Sequence, residues 1–308
     1  MITDVNKIAR KITLRGSLQT FITAFLLVDH YRINDFFLSY AYFRWIDDQI
    51  DIHLPSQDQR LLFIQRQADI IERAHLKVQF KDLTLEEGMI VRIINNDGFS
   101  ESGLKSFVDN MFAIIKFDAY RKGKKISEAE LNWYTNTLSK SVTDGIFYFI
   151  DNENIAPRNR TNYLLVRGAH IAHLLRDMVD DIREGFINIP TEYLEQNNVD
   201  EIDLLSIPIR KWVEKQAILA QNLLVKGKEQ IFRQKSLRRK IAGSWYSARF
   251  EVVLDAIIRD DFLLRENYPE HRKAYNWLKI AYNSVVLYSK HFSSHLATNI
   301  EEDENDYL

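Results

Sequence analysis

Two short acidic stretches, one in each half of the chain, hold residues that could act together. The first runs Tyr40-Ala41-Tyr42-Phe43-Arg44-Trp45-Ile46-Asp47-Asp48-Gln49-Ile50-Asp51, and the second runs His173-Leu174-Leu175-Arg176-Asp177-Met178-Val179-Asp180-Asp181. Each sets aspartates four residues apart, Asp47 with Asp51 and Asp177 with Asp181, inside a largely apolar helical pattern. Carboxylates in such surroundings cost free energy unless something compensates them. The same spacing on two separate helices points to one shared compensator, a group of divalent cations held between facing helices. Oxygen-only donors suit a hard ion such as Mg²⁺, which keeps waters and bridges to phosphate oxygens. The carboxylates concerned are Asp47, Asp48, Asp51, Asp177 and Asp181.

On a helical wheel Tyr40, Arg44, Asp47, Asp48 and Asp51 fall within roughly 100° of one face. His170, His173, Asp177 and Asp181 fall within roughly 80° of another. Taken singly, each cluster reads equally as a solvated acidic patch; two on separate apolar helices are hard to explain as two accidents. Arg44 and Arg176 lie inside the clusters and have two readings. One is a clamp on a diphosphate, since a guanidinium binds phosphate oxygens bidentately. The other is an ion pair that holds the carboxylates apart. His173 has three: a metal ligand, which would shift preference toward Mn²⁺, Fe²⁺ or Zn²⁺, a hydrogen-bond donor to diphosphate, or a structural side chain.

The elements that must position these groups are helices. The 3.6-residue periodicity predicts them near 4–14, 17–29, 33–53, 56–76, 84–95, 102–120, 127–150, 158–184, 207–230, 237–265 and 270–291. Ser56 with Gln59, Thr84 with Glu87 and Ser127 with Glu130 have capping-box spacing. No strand pattern competes, and 10 Gly with 5 Pro are too few for an all-β chain of 308 residues. Hydrophobic residues make up 46% of the sequence, enough for a large core. The expected fold is all-α, one bundle of about ten helices with the aspartate clusters facing each other across a central cavity. Residues 1–300 are expected to form one domain and 301–308 an acidic disordered tail.

The function classes that composition disfavours are clear. A net charge of −2 offers no basic field for nucleic acid. Cysteine is absent, which excludes thiolate metal sites and disulfides and fits a cytoplasmic protein. The opening residues MITDVNKIARKITLRG lack a secretory apolar region, and no stretch reaches the roughly 18 to 20 apolar residues of a membrane span. Peripheral membrane contact stays open: the basic run from Arg233 to Lys240 reads as a solvated helix junction or as an anionic-membrane patch. No obligate protein partner is inferred. Phe21, Phe25, Tyr40, Phe43, Phe147 and Tyr148 could line an apolar tunnel or belong to the core.

The first cluster resembles the YAxCRxxDDxxD element of the squalene/phytoene synthase family, the head-to-head prenyl transferases, and the second resembles its NxxRDxxED element. The resemblance spans roughly residues 15 to 290. Ser17, Thr20 and Phe21 fall where the family has a Ser-x-Ser-Phe run. Tyr134 with Ser141-Val142 resembles its Tyr-containing helix, Phe117-Asp118 sits at its Met-Asp, and Arg249 to Asp255 looks like its late helix. Departures cluster at the second motif. His170 and His173 replace Gln and Asn, Phe186 and Asn188 replace the Arg and Tyr of GRxYxP, and Ser139-Lys140 replaces Ala-Gly. Lys140 is a candidate substitute for the lost positive charge.

What the resemblance implies is an isoprenoid-synthase-like bundle and a metal-dependent transferase acting on allylic prenyl diphosphates such as farnesyl or geranylgeranyl diphosphate. Mg²⁺, or Mn²⁺ in its place, would sit on the five aspartates. Tyr134, Arg44 and Arg176 would be catalytic. Ser17, Thr20, Phe21, Tyr40, Arg44, His173 and Arg176 would bind substrate. The implied product forms through a cyclopropylcarbinyl diphosphate and is of squalene, dehydrosqualene or phytoene type. No dinucleotide fingerprint speaks for or against NADPH. Two further expectations compete: a class I terpene synthase that ionises one prenyl diphosphate, and a non-catalytic binding relative on the same fold.

Overall fold

Ser56, Thr84 and Ser127 each accept the backbone N–H of the residue three further on, and Gln59, Glu87 and Glu130 reach back to the cap N–H. These reciprocal caps satisfy helix N–H groups that have no intrahelical partner. They start three of the helices in a computed structural model that describes residues 2–98, 103–153, 159–200, 202–269 and 284–289. The elements in order are α1 (Ile2–Gly16), α2 (Leu18–Leu27), α3 (Ile33–Asp48), a π turn (Gln49–His53), α4 (Gln57–His75), α5 (Leu85–Asn96), α6 (Leu104–Arg121), α7 (Glu128–Phe149), α8 (Leu164–Glu184), α9 (Thr191–Gln196), α10 (Ile207–Phe232) and α11 (Leu237–Arg259). Short 3₁₀ turns at His30–Arg32 and Arg160–Tyr163 lead into α3 and α8. Among the described residues there is no strand, and the all-α expectation holds.

Two apolar cores flank the centre. The first joins α1 to α6 with the end of α7, and includes Phe37, Tyr42, Ile46, Met89, Ile93 and Val108. The second joins α8, α10 and α11, through Ile171, Leu175, Trp212, Leu224, Phe250 and Leu254. α7 and α11 contribute to both, so the halves share walls. α8 lies close along α10: a Cβ on Gly227 would come within 2.3 Å of the Leu165 backbone nitrogen. Only a residue without a side chain permits that approach.

Several boundaries differ from the periodicity. The helix predicted over 237–265 ends at Arg259, because Asp261 and Phe262 adopt left-handed φ of 55° and 63°. The stretch 33–53 is not uniform α-helix but opens into the π turn. α9 was not foreseen; six residues after Pro190 are too few to show a period. Of the helix expected at 270–291, residues 284–289 are helical and the rest lies outside the described residues, as does the acidic tail 301–308. The basic run joins α10 to α11 and is only partly solvated: Arg233 and Lys235 are exposed. Arg239 is buried and donates to the carbonyls of Phe147, Ile150 and Asp151, while Arg238 pairs with Asp29 and Asp151. These bonds tie the start of α11 to the end of α7. No helix among the described residues is long and apolar enough to cross a membrane.

Candidate active site

A cavity of about 700 Å³ lies between α2, α3, α6, α7, α8 and α11. Its apolar part is lined by Phe36, Phe43, Phe107, Ile114, Ile146 and Phe149, among others. Asp47, Asp51, Asp118, Asp177, Asp181 and Glu184 line it as well. So do four guanidinium groups, of Arg44, Arg121, Arg176 and Arg249.

On α3 the helix widens at the motif. Leu54 N–H donates to the Gln49 carbonyl at 2.9 Å, five residues back. In a regular α-helix four residues overshoot one turn by about 40°; the wider turn reduces that overshoot and brings Asp51 round beneath Asp47. Turns of this kind recur at functional sites. Asp47 and Asp51 face the cavity, whereas Asp48 does not line it and instead accepts from Arg44 at 2.6 Å. Arg44 also lies 3.7 Å from Asp47. Burial, with Asp118 and Asp48 adding repulsion against the attraction of Arg44, pushes the Asp47 carboxyl up to about 6. Burial, then Asp47, pushes Asp51 to about 7, and Lys122 opposes this.

α8 is arranged differently. Arg176 clamps the neighbouring Asp177 with two bonds, of 2.5 and 2.7 Å, and His173 Nε2 lies 2.8 Å from the same carboxylate. Burial alone would raise Asp177, but the bonds from His173 and Arg176 outweigh it and hold the carboxyl well below the usual range. Asp181, one turn on, accepts from the Asn188 amide at 2.8 Å and makes no ion pair among the described residues. Burial, then repulsion from Asp177, pushes it to about 8. Burial lowers His173 and His170, so both imidazoles favour the neutral form. His170 Nε2 meets the Tyr246 hydroxyl at 3.3 Å.

A third wall sets the expected Tyr134 beside Asp118 and Arg121, which were not anticipated as site residues. Asp118 on α6 accepts from Arg121 at 2.6 Å and from the Tyr134 hydroxyl at 3.1 Å. Burial raises Asp118, and Arg121 and Tyr134 oppose it. Burial also raises the Tyr134 phenol far above its ordinary value, with Asp118 adding to it, so Tyr134 stays protonated. Arg249 on α11 faces the cavity, stacks on the rings of Tyr246 and Phe250, and makes no ion pair among the described residues. Burial lowers its proton affinity, Arg176 adds to this by repulsion, and Asp177 opposes it. Asp118 and Arg249 carried the positional match of the resemblance, Asp118 and Arg121 also an i, i+3 spacing, and nothing marked Glu184.

The structure therefore brings together Thr20, Tyr40, Arg44, Asp47, Asp51, Tyr134, His173, Arg176, Asp177 and Asp181 around one cavity. It does not bring Ser17 or Phe21 there. Ser17 caps α2, accepting from Thr20 N–H and from the Thr20 hydroxyl, and Phe21 packs on Phe25 and Phe37. Of the proposed tunnel aromatics only Tyr40 and Phe43 line the cavity. Tyr148 is fully buried under Arg32, and Phe147 lies against Arg239. Lys140 is exposed on the outer side of α7, so it does not replace a lost charge inside.

Among the described residues no three His, Asp or Glu side chains converge tightly enough to enclose a metal ion by themselves. The donors are nonetheless carboxylate oxygens, and three of them have elevated proton affinity where a cation would displace the proton. That fits Mg²⁺, which takes one or two carboxylates and completes its shell with water and substrate phosphate. It does not fit a closed transition-metal site.

Comparison with known proteins identifies the family and the fold. The profile of the family described as squalene/phytoene synthase matches residues 14–274. No curated protein sequence matches the chain. Among solved structures, the squalene synthase HpnC from Alicyclobacillus acidocaldarius superposes with a TM-score of 0.64 at 18% identity, over 85% of this chain and 96% of that one. A dehydrosqualene synthase in complex with a ligand superposes with a TM-score of 0.68 at 14% identity, over 94% and 98%. At these identities the superpositions speak to the fold.

Proposed function

Because the chain belongs to the squalene/phytoene synthase family, we propose that it joins two allylic prenyl diphosphates head to head. The observation that carries this reading is the pairing of two aspartate motifs on facing helices with one apolar cavity. Asp47, Asp51, Asp177 and Asp181 are the residues that would hold Mg²⁺, with Mn²⁺ as a substitute; Asp48 contributes by fixing Arg44. When bound, the metal supplies Lewis-acid stabilisation of the departing diphosphate.

The chain's own groups account for the remaining steps. Arg44, Arg176 and Arg249 place positive charge where diphosphate oxygens would lie, and a guanidinium fork matches them. Heterolysis of the allylic C–O bond sends the electron pair to the diphosphate. The double bond of the second substrate captures the allyl cation, and loss of one proton closes a cyclopropylcarbinyl diphosphate. Its ionisation releases the second diphosphate, and the rearranged cation becomes the linear product by losing a proton or, where NADPH serves as reductant, by accepting a hydride. Tyr134, held protonated and donating to Asp118, orients the diphosphate region and the proton route. Thr20 and Tyr40 line the substrate's path, and His173 keeps the Asp177 carboxylate in place. The apolar lining from Phe43 to Phe149 keeps water from quenching cations.

One observation favours a second reading. Phe186 presents a ring to the cavity at the position where the resemblance implies a phosphate-binding arginine. A weaker second diphosphate site would suit a terpene synthase that ionises a single substrate. Incubation with farnesyl or geranylgeranyl diphosphate separates the two, with Mg²⁺ or Mn²⁺ and with or without NADPH. Pyrophosphate release with a product of twice the carbon count is expected. A product of unchanged carbon number would select the single-substrate reading, and no pyrophosphate release under any condition would overturn both.

A further inference from the structure

Beside the acidic wall a continuous chain of hydrogen bonds starts outside both aspartate motifs and ends on Asp181. The Tyr134 hydroxyl donates to Asp118 Oδ2 at 3.1 Å, and Arg121 Nε donates to Asp118 Oδ1 at 2.6 Å. The same guanidinium donates from Nη1 to Asn188 Oδ1 at 2.8 Å, and Asn188 Nδ2 donates to Asp181 Oδ2 at 2.8 Å. Every donor in this chain ends on an acceptor, so its direction is fixed. Arg121 and Asn188 are both buried.

The backbone is built to bring these residues together. α8 ends at Gly185, whose φ of 91° reverses the chain, and Phe186 N–H donates back to the Asp181 carbonyl at 2.7 Å. Gly123, after α6, has a φ of 83° and donates its N–H to the Gly185 carbonyl at 2.8 Å. A Cβ on Gly185 would meet Gly123 N at 3.3 Å. The isolated bridge between Lys125 and Ile187 continues this seam. Two loops far apart in sequence are thereby joined, with Arg121 entering one and Asn188 in the other. The guanidinium is held near the rings of Tyr134, at 5.0 Å, and Phe186, at 5.1 Å. An aromatic face at 186 fits a cation already present; a second arginine there would repel it.

We propose that Arg121 and Asn188 are positioning residues. Together they aim the Asp181 carboxylate into the cavity for metal binding, and they join it to Tyr134 and Asp118. Asn188 occupies one oxygen of Asp181 and leaves the other free. Arg121 fixes the amide so that its nitrogen, not its oxygen, faces Asp181. The positive charge at this wall comes from α6 instead of from residue 186. Partners that orient a ligating carboxylate typically change metal affinity by about 10–100-fold.

This proposal rests on the metal-site reading above, and its test separates the two. The full-length protein is stripped of metal and titrated with Mn²⁺ in the presence of inorganic pyrophosphate, and free Mn²⁺ is read by electron paramagnetic resonance. Asn188→Leu removes the donor at similar size, and Arg121→Gln removes the charge. Both should weaken Mn²⁺ binding about tenfold or more. Asn188→Leu lies in a loop and serves if Arg121→Gln fails to fold, which circular-dichroism melting would reveal. Asp181→Asn is the reference for loss of the ligand itself. If Asp181→Asn weakens binding and a folded Asn188→Leu or Arg121→Gln binds like the parent, the positioning role is overturned and the metal site stands. If Asp181→Asn also binds like the parent, the metal reading fails and this proposal fails with it.

Discussion

On α3 the short arginine contact falls on Asp48, which does not line the cavity; Asp47 meets the same arginine only at 3.7 Å, and the inward pair Asp47 and Asp51 is left with raised proton affinity. On α8 the pairing falls on the inward-facing Asp177, which His173 and Arg176 hold ionised, and only Asp181 is left raised. The spacing is the same and the charge states are not. The difference comes from neighbours on other helices and from one adjacent arginine. Asp118 and Glu184 add repulsion to Asp47, Asp51 and Asp181 alike, while Arg176 is one residue from Asp177. A repeated motif thus supplies two kinds of carboxylate: one already held ionised by its neighbours, and three that would gain most from a cation.

The largest expected effect tests which aspartates form the site. Asp51→Ala and Asp181→Ala should lower pyrophosphate release by about 10²–10³-fold, the scale of removing one preorganised electrostatic group. Asp48→Ala should cost about tenfold or less, since Asp48 acts through Arg44. Equal losses at Asp48 and Asp51 would erase the distinction between inward and outward carboxylates on α3.

The two arginines come next. Arg176→Gln should reduce turnover more than Arg44→Gln, by about 10²-fold against about tenfold, because Arg176 is less exposed and bidentate on a cavity ligand. Steady-state rates at saturating Mg²⁺ measure both. The reverse order would mean that α3, not α8, carries the fixed charge.

A smaller effect concerns pH. Folded-state values of about 6, 7 and 8 for Asp47, Asp51 and Asp181 lie above the ordinary carboxylate value. Between pH 4 and 8 the native state therefore binds more protons than the unfolded chain, and stability falls as pH rises through this window. Asp177 has the opposite sign: its contribution is present above the unfolded value and is lost only in strong acid. Without metal the melting temperature should drop from pH 5 to pH 8.5. Mg²⁺ with pyrophosphate should raise it more at the alkaline end. A metal-free melting temperature that climbs over this range would contradict the raised values.

The smallest expected effect is at Lys122, whose Nζ donates to the Asp51 carbonyl at 2.9 Å and whose charge opposes the rise of Asp51. Lys122→Ala should alter the Mg²⁺ concentration for half-maximal activity by about twofold, the size of an exposed charge contact. A large change would make Lys122 part of the diphosphate site.

Much of this was legible in the residues themselves. The capping pairs at 56/59, 84/87 and 127/130 form as their spacing predicts, because a cap is a local interaction within four residues. The four inward aspartates share a cavity because i, i+4 spacing places them on one helix face. Asp48 could not be separated from its neighbours that way, since the π turn that follows it depends on packing around residues 49–54. Ser17 and Phe21 were matched by position in the resemblance, yet one caps α2 and the other fills the core. Arg239 looked solvated within a basic run, but its three carbonyl acceptors come from residues about ninety positions away.

The sequence by itself determined the helices, their starts and the two acidic faces, because periodicity and caps act over one or two turns. Its match to the squalene/phytoene synthase family set the class of chemistry. Only the tertiary structure decided which carboxylate is charged, which arginine stands at which wall and that Asn188 meets Asp181. Electrostatic burial and hydrogen-bond partners are sums over neighbours from several helices, and no local pattern in the chain encodes those sums.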